Sequence, residues 1–219
     1  MRWLVTGASR GIGLEMVLAL VARGDDVIAA VRDPASFPAG VAASVVALDV
    51  GDPASVAAAR VACGEAPIDV LVSNAGLSGG AQRAPGMDLA RAERIVRTNA
   101  LGPLHVYDAF VDLVRKSQRR TIVHVSSEAG SLSRFRASRK PEYAMSKAAL
   151  NALTRWVAAV EADCICTSID PGWTRTATGG DDAPQTPALA ASRLIAAIDT
   201  LGREHSGAFV DTSLVAIPW

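Results

Sequence analysis

The sequence predicts an α/β protein with a doubly wound, parallel sheet of about seven strands, forming a single domain over residues 1–219. Short apolar runs recur along the chain, and longer segments with helical spacing separate them. Strands buried on both faces have such continuous apolar runs. Regular alternation of strand and helix is typical of a parallel sheet covered by helices on both sides. No repeat or low-complexity linker divides the 219 residues, and this length suits one large domain.

The elements follow one another from the first residues onward. The first predicted helix carries Ile12 and Met16 at helical spacing and ends at Gly24, which suits a left-handed C-cap. Another helix begins with Asp52 as N-cap and Pro53 at its first position, and ends near Gly64. The predicted strands are residues 2–6, 26–31, 44–50, 69–73, 121–126, 165–169 and 207–210.

Three stretches with little predicted structure follow strands, namely residues 78–87, 133–142 and 176–187. Ligands of open parallel sheets bind beyond the carboxyl ends of the strands. We therefore expect these stretches to form the walls of a pocket.

Composition limits the kind of partner. Lys+Arg and Asp+Glu both total 22, so no net charge draws the chain to nucleic acid or to an anionic membrane. No run approaches the roughly 18 apolar residues of a membrane span, and we expect a cytoplasmic protein that binds a small molecule. The three cysteines cannot all pair with one another, and Cys164 and Cys166 alternate as on one face of a strand. The three histidines lack metal spacing, so we expect no metal site.

A glycine-rich turn, TGASRGIG, joins the first predicted strand to the first helix. Glycines there allow a tight turn and let backbone N–H groups approach a phosphate at the positive end of a helix. This position is typical of the dinucleotide-binding turn of a Rossmann fold, and the turn lacks the Gly-Lys-Ser/Thr ending of a mononucleotide P-loop. The residues expected to contact the cofactor are Gly7, Ser9, Arg10, Gly11, Ile12 and Gly13.

The end of the second strand bears on the choice between NADP and NAD. Val31 occupies the position where NAD-binding proteins usually carry an acid, and Arg32 follows it. A guanidinium suits the 2'-phosphate of NADP, and Arg10 is a second candidate for that contact. If the strand ends one residue later, Asp33 becomes the ribose acid instead. We expect NADP(H) to be favoured over NAD(H), with plain surface charge as the alternative for both arginines.

Tyr143 and Lys147 are four positions apart in EYAMSK, at the start of a predicted helix. Residues at i and i+4 lie on one helical face, so an ammonium stands near a phenol. A nearby positive charge lowers the pKa of a phenol from its usual value of about 10. The pair is therefore a candidate proton donor, although a solvated polar face with a half-buried aromatic is the commoner explanation of a Tyr-Lys pair taken alone.

Seven motifs in a fixed order give a more specific signal. They are TGASRGIG, LDV at 48–50, SNAG at 73–76, TNALGPL at 98–104, VSSEAG at 125–130, YAMSK at 143–147 and DPGWTRT at 170–176. Together they resemble the short-chain dehydrogenase/reductase family over essentially the whole chain. The short length, DPGWTRTATGG and the terminal IPW are similar to carbonyl reductases of the C-factor and sniffer type.

The resemblance implies roles for individual residues. Tyr143 would be the general acid in carbonyl reduction, and Lys147 would lower its pKa and bind the nicotinamide ribose. Ser127 would hydrogen-bond the substrate oxygen, and Asn99 would anchor a water that links Lys147 to solvent. Further cofactor contacts are implied for Asp49, Val50, Asn74, Ala75, Gly76, Pro171, Gly172, Thr174 and Thr176.

Several alternatives stay open at this stage. Ser126 is the candidate if the strand register is shifted, because successive side chains face opposite ways. Asn99 also suits a structural role at a helix bend, and Thr174 and Thr176 suit a simple turn followed by an N-cap. Ser73 stands where the family usually has a further asparagine.

The segment between Ser127 and Tyr143 is longer than is usual in the family. It carries a basic group of Arg134, Arg136, Arg139 and Lys140, which suits either a polar substrate or solvent. The resemblance implies an NAD(P)-dependent carbonyl reductase or alcohol dehydrogenase, and pairing into a homodimer or homotetramer. A nucleotide-binding signalling protein and a lyase or epimerase on the same scaffold are the alternatives.

Overall fold

A computed structural model describes residues 1–80, 86–135 and 140–219. Seven parallel strands form one sheet in the order β3-β2-β1-β4-β5-β6-β7. The strands are β1 Arg2–Thr6, β2 Asp26–Val31, β3 Ser44–Ala47, β4 Val70–Ser73, β5 Thr121–Val125, β6 Ile165–Asp170 and β7 Phe209–Asp211.

Helices cover both faces of the sheet. One apolar cluster joins the sheet to α1 and α6, and a second joins its other face to α2, α4 and part of α5. Burial on both faces explains why the strand sequences are continuously apolar. The helices are α1 Gly11–Arg23, α2 Pro53–Ala62, α3 Leu89–Val96, α4 Gly102–Arg115, α5 Pro141–Val160 and α6 Pro187–Thr200, and a π-helical turn, Arg97–Leu101, joins α3 to α4.

The strand order reverses between β1 and β4. From β1 the chain moves outward through β2 to β3, and it then returns to place β4 on the other side of β1. A doubly wound sheet opens a crevice at such a switch point, beyond the carboxyl ends of its strands. The predicted fold class is thus confirmed, and its topology fixes where a ligand would bind.

The predicted helix ends are confirmed where caps were expected. Gly24 has φ 89° at the C-cap of α1, and the Asp52 side chain accepts a hydrogen bond from the Ala54 N–H at the start of α2. The predicted end of β3 at residue 50 is wrong. The ladder with β2 ends at Ala47, although the Leu48 N–H still donates to the Val31 carbonyl at 2.7 Å, and the chain then turns where the Asp49 carboxylate accepts a hydrogen bond from the Gly51 N–H at 2.9 Å.

Candidate active site

A cleft of about 950 Å³ opens at the carboxyl ends of β1, β2, β4, β5 and β6. Of the predicted site residues, only Gly13 and Asn99 lie outside its lining. The predicted residues that line it are Gly7, Ser9, Arg10, Gly11, Ile12, Arg32, Asp49, Val50, Asn74, Ala75, Gly76, Ser127, Tyr143, Lys147, Pro171, Gly172, Thr174 and Thr176.

The glycine turn is packed directly against the loop after β4. Gly7 has φ 66°, and a Cβ at this position would lie 2.7 Å from the Ala75 Cα. A Cβ on Gly13 would lie 2.5 Å from the Gly7 carbonyl oxygen. Asn74 fixes the contact from the other side, since its Nδ2 donates to the Thr6 carbonyl at 2.9 Å. Gly13 thus packs against the backbone of the turn without lining the cleft, while other residues of the turn line it.

Three consecutive residues at the end of β2 have different surroundings. β2 ends at Val31, whose side chain is 1% exposed and belongs to the apolar core. Arg32 is exposed and lines the cleft, whereas Asp33 does not line it and caps the following turn by accepting from the Ala35 N–H at 3.0 Å. Among the described residues, neither Arg32 nor Arg10 has an ion-pair partner. Two uncompensated guanidiniums beside a glycine turn suit a phosphorylated dinucleotide.

Two further arginines, which sequence reasoning missed, also line the cleft. Arg94 and Arg97 are three positions apart, near the end of α3, so they lie on one face. The Arg97 Cδ lies 3.7 Å from where a Cβ of Gly51 would stand, beside Asp49 and Val50. No sequence signal distinguishes them from the arginines of an ordinary amphipathic helix.

Lys147 lies on the same face of α5 as Tyr143, as predicted. Its Nζ lies 5.8 Å from the centroid of the Tyr143 ring and donates to the Val125 carbonyl at 2.7 Å. The side chain is buried, and burial lowers the pKa of Lys147 to about 8, against the opposing effect of the Asp170 charge. A buried ammonium held beside a phenol is the arrangement that the spacing predicted.

The expected lowering of the Tyr143 pKa is wrong for this structure. Burial raises the pKa of Tyr143 to about 12, and the Asp170 charge adds to the rise. A hydrogen bond with the Ser127 side chain acts in the opposite direction. Desolvation of the phenolate therefore outweighs the local stabilisation of the charge.

The two serines after β5 have different surroundings. The Ser127 side chain lies near enough to the phenol to lower the pKa of Tyr143, and its Oγ accepts from the Ala129 N–H at 3.2 Å, at the edge of the cleft. Ser126 is buried, and its hydroxyl donates to the Asn151 Oδ1 at 2.7 Å. Only Ser127 has its hydroxyl beside the phenol, which agrees with the predicted register.

Asn99 is fully buried in the π-helical turn. Its Oδ1 accepts from the Leu77 N–H at 2.7 Å, and its Nδ2 donates to the Leu77 carbonyl at 2.7 Å and to the Ser146 Oγ at 2.9 Å. Ser146 in turn donates to the Tyr143 carbonyl at 2.7 Å. This is the structural role that the sequence left open, and it ties the loop after β4 to the helix of Tyr143.

The loop after β6 closes the cleft against the glycine turn. A Cβ on Gly11 would lie 3.4 Å from the Thr176 Cγ2, and Thr176 Oγ1 accepts from the Gly179 N–H at 3.2 Å. Thr174 donates to the Gly172 carbonyl at 2.9 Å. Both threonines therefore form the turn that was the alternative to cofactor contact, while also lining the cleft.

The predicted pocket walls are only partly confirmed. Residues 176–179 and 187 line the cleft, and Lys140 lines it while donating to the Thr178 carbonyl at 2.9 Å. Residues 78–80 and 86–87 do not line it. Arg134 pairs with Glu128 at 3.2 Å. The predictions for Arg136 and Arg139 lie outside the described residues. The exposed Trp173, which sequence reasoning did not assign, also lines the cleft.

The remaining expectations concern metals and membranes. Within residues 1–80, 86–135 and 140–219, no three His, Cys, Asp or Glu side chains are grouped so as to hold a metal ion. Over the same ranges, no helix has the length and apolar character needed to cross a membrane. All three cysteines are free and buried.

Comparison with known proteins places this fold and cleft in a family. The short chain dehydrogenase profile matches residues 2–186. The C-signal protein of Myxococcus xanthus is 36% identical over 158 residues, which cover 70% of this chain and 93% of that protein. The chain therefore belongs to the short-chain dehydrogenase/reductase family of NAD(P)-dependent oxidoreductases.

Solved structures agree with this assignment. An NADPH-bound carbonyl reductase from chicken fatty liver is 29% identical, with a TM-score of 0.90 over 100% of this chain and 98% of that one. The carbonyl reductase Sniffer of Drosophila melanogaster has a TM-score of 0.91 over 100% of this chain and 99% of that one. At 22% identity, the second likeness concerns the fold.

Proposed function

We propose that this protein reduces a ketone or aldehyde to an alcohol with NADPH, or catalyses the reverse reaction. One observation carries the proposal: the Tyr143 phenol, the Ser127 hydroxyl and the buried Lys147 ammonium meet in one cleft beside a dinucleotide turn. The carbonyl reductase likeness supports the direction toward the alcohol. Soluble cytoplasmic location and self-association into a homodimer or homotetramer stay predictions.

The residues present fit a bound NADP(H). The close approach of Gly7 to Ala75 leaves no room for a side chain at position 7. The glycine turn therefore presents its backbone, without a side chain there, to a pyrophosphate at the start of α1. Arg10 and Arg32 are the groups that would hold the 2'-phosphate. Asp49 and Val50 would border the adenine, and Lys147 would bind the nicotinamide ribose. The cofactor supplies the hydride when bound.

The protein's own residues manage the proton and the charge on oxygen. The Tyr143 O–H would transfer its proton to the substrate oxygen as negative charge develops there. Ser127 donates a hydrogen bond to the same oxygen and stabilises the developing alkoxide. The positive charge of the Lys147 ammonium lies beside the phenolate that forms when Tyr143 gives up its proton. Asn99 fixes the helix that carries Tyr143, and we propose that it also anchors the water that restores the proton.

The raised pKa of Tyr143 keeps its side chain in the acid form that reduction requires. With a pKa of about 12, the phenol is protonated at neutral pH and is available as an acid. Alcohol oxidation requires the phenolate, which is scarce at that pH. A nucleotide-binding signalling role remains the alternative from another class, since the C-signal protein is a relative.

The test is turnover of NADPH against a panel of ketones and aldehydes, followed by absorbance. Tyr143→Phe should lower turnover by roughly a hundredfold to ten-thousandfold, the usual loss for a general acid, while NADPH binding persists. The chain offers a matched control in its second tyrosine. Tyr107 donates to the Glu161 Oε1 at 2.6 Å, away from the cleft lining, so Tyr107→Phe should keep turnover within a few fold.

Binding of NADPH by the wild type without consumption of any carbonyl would support the signalling alternative. Equal losses in Tyr107→Phe and Tyr143→Phe would remove the special role of Tyr143.

A further inference from the structure

After β7 the chain turns back and runs along the edge of the sheet. Leu214 has φ 61° in the turn, and its N–H donates to the Asp211 carbonyl at 3.0 Å. The Ile217 N–H then donates to the Phe209 carbonyl at 2.8 Å, so the returning backbone is antiparallel to β7. We call residues 215–219 the return segment. None of these five described residues lines the cleft.

The return segment binds the loop that follows β5. The buried Ser131 hydroxyl donates to the Pro218 carbonyl at 2.6 Å. Ser133 donates twice to the main-chain oxygen of Trp219, from its N–H at 2.8 Å and from its hydroxyl at 2.5 Å. Three hydrogen bonds therefore join two segments that are 86 to 87 residues apart in the sequence.

The Trp219 side chain fixes the position of the return segment. Its ring centroid lies 5.7 Å from that of Phe209 in β7, with the two rings tilted by 33°. The Arg155 guanidinium of α5 lies 5.4 Å from the centroid of the Trp219 ring. Aromatic packing and a cation–π contact are both stabilising at these separations. Together they hold the main-chain oxygen of Trp219 within reach of Ser133.

The loop that the return segment binds begins at Ser127. Ser127 lines the cleft, and its Oγ accepts from the Ala129 N–H at 3.2 Å. The Gly130 N–H donates to the Ser127 carbonyl at 2.8 Å, and the Ser131 N–H donates to the Glu128 carbonyl at 3.0 Å. Ser127 and Ser131 are therefore the two ends of one hydrogen-bonded turn. A shift of Ser131 would displace the Ser127 hydroxyl with it.

α5 contacts the same turn at Gly130. A Cβ on Gly130 would lie 2.8 Å from the main-chain carbonyl carbon of Lys147. The Asn151 Nδ2 donates to the Gly130 carbonyl at 3.3 Å. The close packing leaves the turn no space to move toward α5, and the return segment holds its end at Ser131.

We propose that Pro218 and Trp219 are positioning residues for carbonyl reduction, which hold the turn from Ser127 to Ser131 so that the Ser127 hydroxyl meets the substrate oxygen. The inference rests on the proposed function, because Ser127 is the group that would bond that oxygen. Three strands separate β7 from β1, which carries the glycine turn. We therefore expect the return segment to affect turnover of the carbonyl without affecting NADPH binding.

The experiment compares Trp219→Ala with Trp156→Ala. Trp156 is the matched control, because it follows Arg155 on α5 and is half exposed, but its ring packs on Tyr107 at 5.9 Å. In Trp219→Ala, kcat/KM for a carbonyl should fall by roughly tenfold to a hundredfold, mainly through kcat, because a displaced donor stabilises the transition state less well. The NADPH dissociation constant should stay within about twofold. Trp156→Ala should leave both quantities unchanged.

Conservative variants separate positioning from general damage to the fold. Trp219→Phe should recover most of the lost kcat/KM, because a phenyl ring can still pack on Phe209 and beneath Arg155. Ser133→Ala, at an exposed position, removes one of the three hydrogen bonds and should lower kcat/KM by roughly two- to tenfold. Ser133→Thr keeps the hydroxyl and should match wild type. This pair keeps the test decisive if Trp219→Ala does not fold.

Full kcat/KM in a folded Trp219→Ala protein, or an equal loss in Trp156→Ala, would overturn the proposal. Equal losses in Ser133→Ala and Ser133→Thr would also overturn it, because the hydroxyl would then be irrelevant.

Amide hydrogen exchange tests the contact without turnover. Peptides that cover residues 128–135 should exchange faster in Trp219→Ala than in wild type, by roughly tenfold, because the Ser133 N–H loses its acceptor. Peptides from β1 and α1 should exchange at the wild-type rate in both tryptophan variants. Unchanged exchange over residues 128–135 refutes the proposal. Faster exchange there, with no turnover of any carbonyl by wild type, supports the contact and refutes only the proposed function.

Discussion

Arg32 and Asp33 are adjacent at the end of β2, but only Arg32 lines the cleft. The strand stops at Val31, so Arg32 is the first side chain that can turn into the cleft. The Asp33 carboxylate is already engaged, since it caps the turn at Pro34–Ser36. The arginine is therefore available to a 2'-phosphate, and the acid is not positioned for a ribose hydroxyl.

Arg32→Ala should weaken NADPH binding by roughly ten- to a hundredfold, because a charge-assisted hydrogen bond contributes about 1.5 to 3 kcal/mol. NADH lacks the 2'-phosphate and should lose little. The measurement is the ratio of the two dissociation constants at fixed ionic strength, since an exposed contact is screened by salt. Asp33→Ala is the control and should leave the ratio unchanged. A wild type that prefers NADH, with that preference abolished in Asp33→Ala, would assign the ribose to Asp33 instead.

Val31 is unsuited to the usual switch toward NAD. Its side chain is 1% exposed among apolar neighbours, so an aspartate there would bury a carboxylate in the core rather than offer it to a ribose. A test of cofactor preference at this site is therefore cleaner at Arg32 than at Val31.

At the level of single residues, the sequence predicted the site residues whose role depends on residues close to them in the chain. Tyr143 and Lys147 are such a pair, because helical spacing alone puts them on one face. Asp170, Arg94 and Arg97 were not found, because each reaches the cleft through strand pairing or loop packing between distant segments. The direction of the Tyr143 pKa was also missed, since burial is a property of the folded chain.

Among the elements, all seven strands and the capped ends of α1 and α2 could be predicted from apolar runs, glycine and aspartate. The end of β3 could not, because the apolar pattern continues through Leu48 and Val50, beyond the last ladder pair of β3 at Ala47. Those two side chains are buried in the apolar cluster that the sheet shares with α2, α4 and part of α5. A run of apolar residues alone therefore does not show where a strand ends and a buried turn begins.

The π-helical turn that joins α3 to α4 depends on Asn99. Asn99→Ala should lower the free energy of unfolding by about 1 to 3 kcal/mol, because it leaves the N–H and the carbonyl of Leu77 without their partner. Denaturant unfolding with an unchanged m value measures this loss. Ser146→Ala is the matched control, since it keeps both bonds to Leu77, and its loss should be smaller. An equal or larger loss in Ser146→Ala would place the stabilising contact on α5 rather than on the loop after β4.

For the molecule as a whole, the candidate site carries a cost in stability. Burial lowers the pKa of Lys147 from 10.5 to about 8, so holding its ammonium in the folded protein is unfavourable at neutral pH. A shift of that size corresponds to roughly 3 kcal/mol, as an order of magnitude. The rest of the fold, with its two apolar clusters on either side of the sheet, must offset it.

Lys147→Met should therefore stabilise the protein against unfolding at pH 7 while abolishing most turnover and weakening NADPH binding. The sign follows from proton linkage: between the folded pKa near 8 and the unfolded value of 10.5, the unfolded chain binds more protons, so wild-type stability rises with pH. The cost is fully present below about pH 8 and is relieved as pH increases toward 10.5. The loss of the hydrogen bond to the Val125 carbonyl reduces the gain from the substitution but does not change its pH dependence. The measurement is urea unfolding of wild type and variant at several pH values between about 7 and 9.5, taken as the difference between the two proteins, because unfolded cysteines and tyrosines ionise near 8.5 and 10 in both. Wild type should gain stability relative to the variant over this interval, so parallel curves for the two proteins would show that Lys147 keeps an ordinary pKa in the fold.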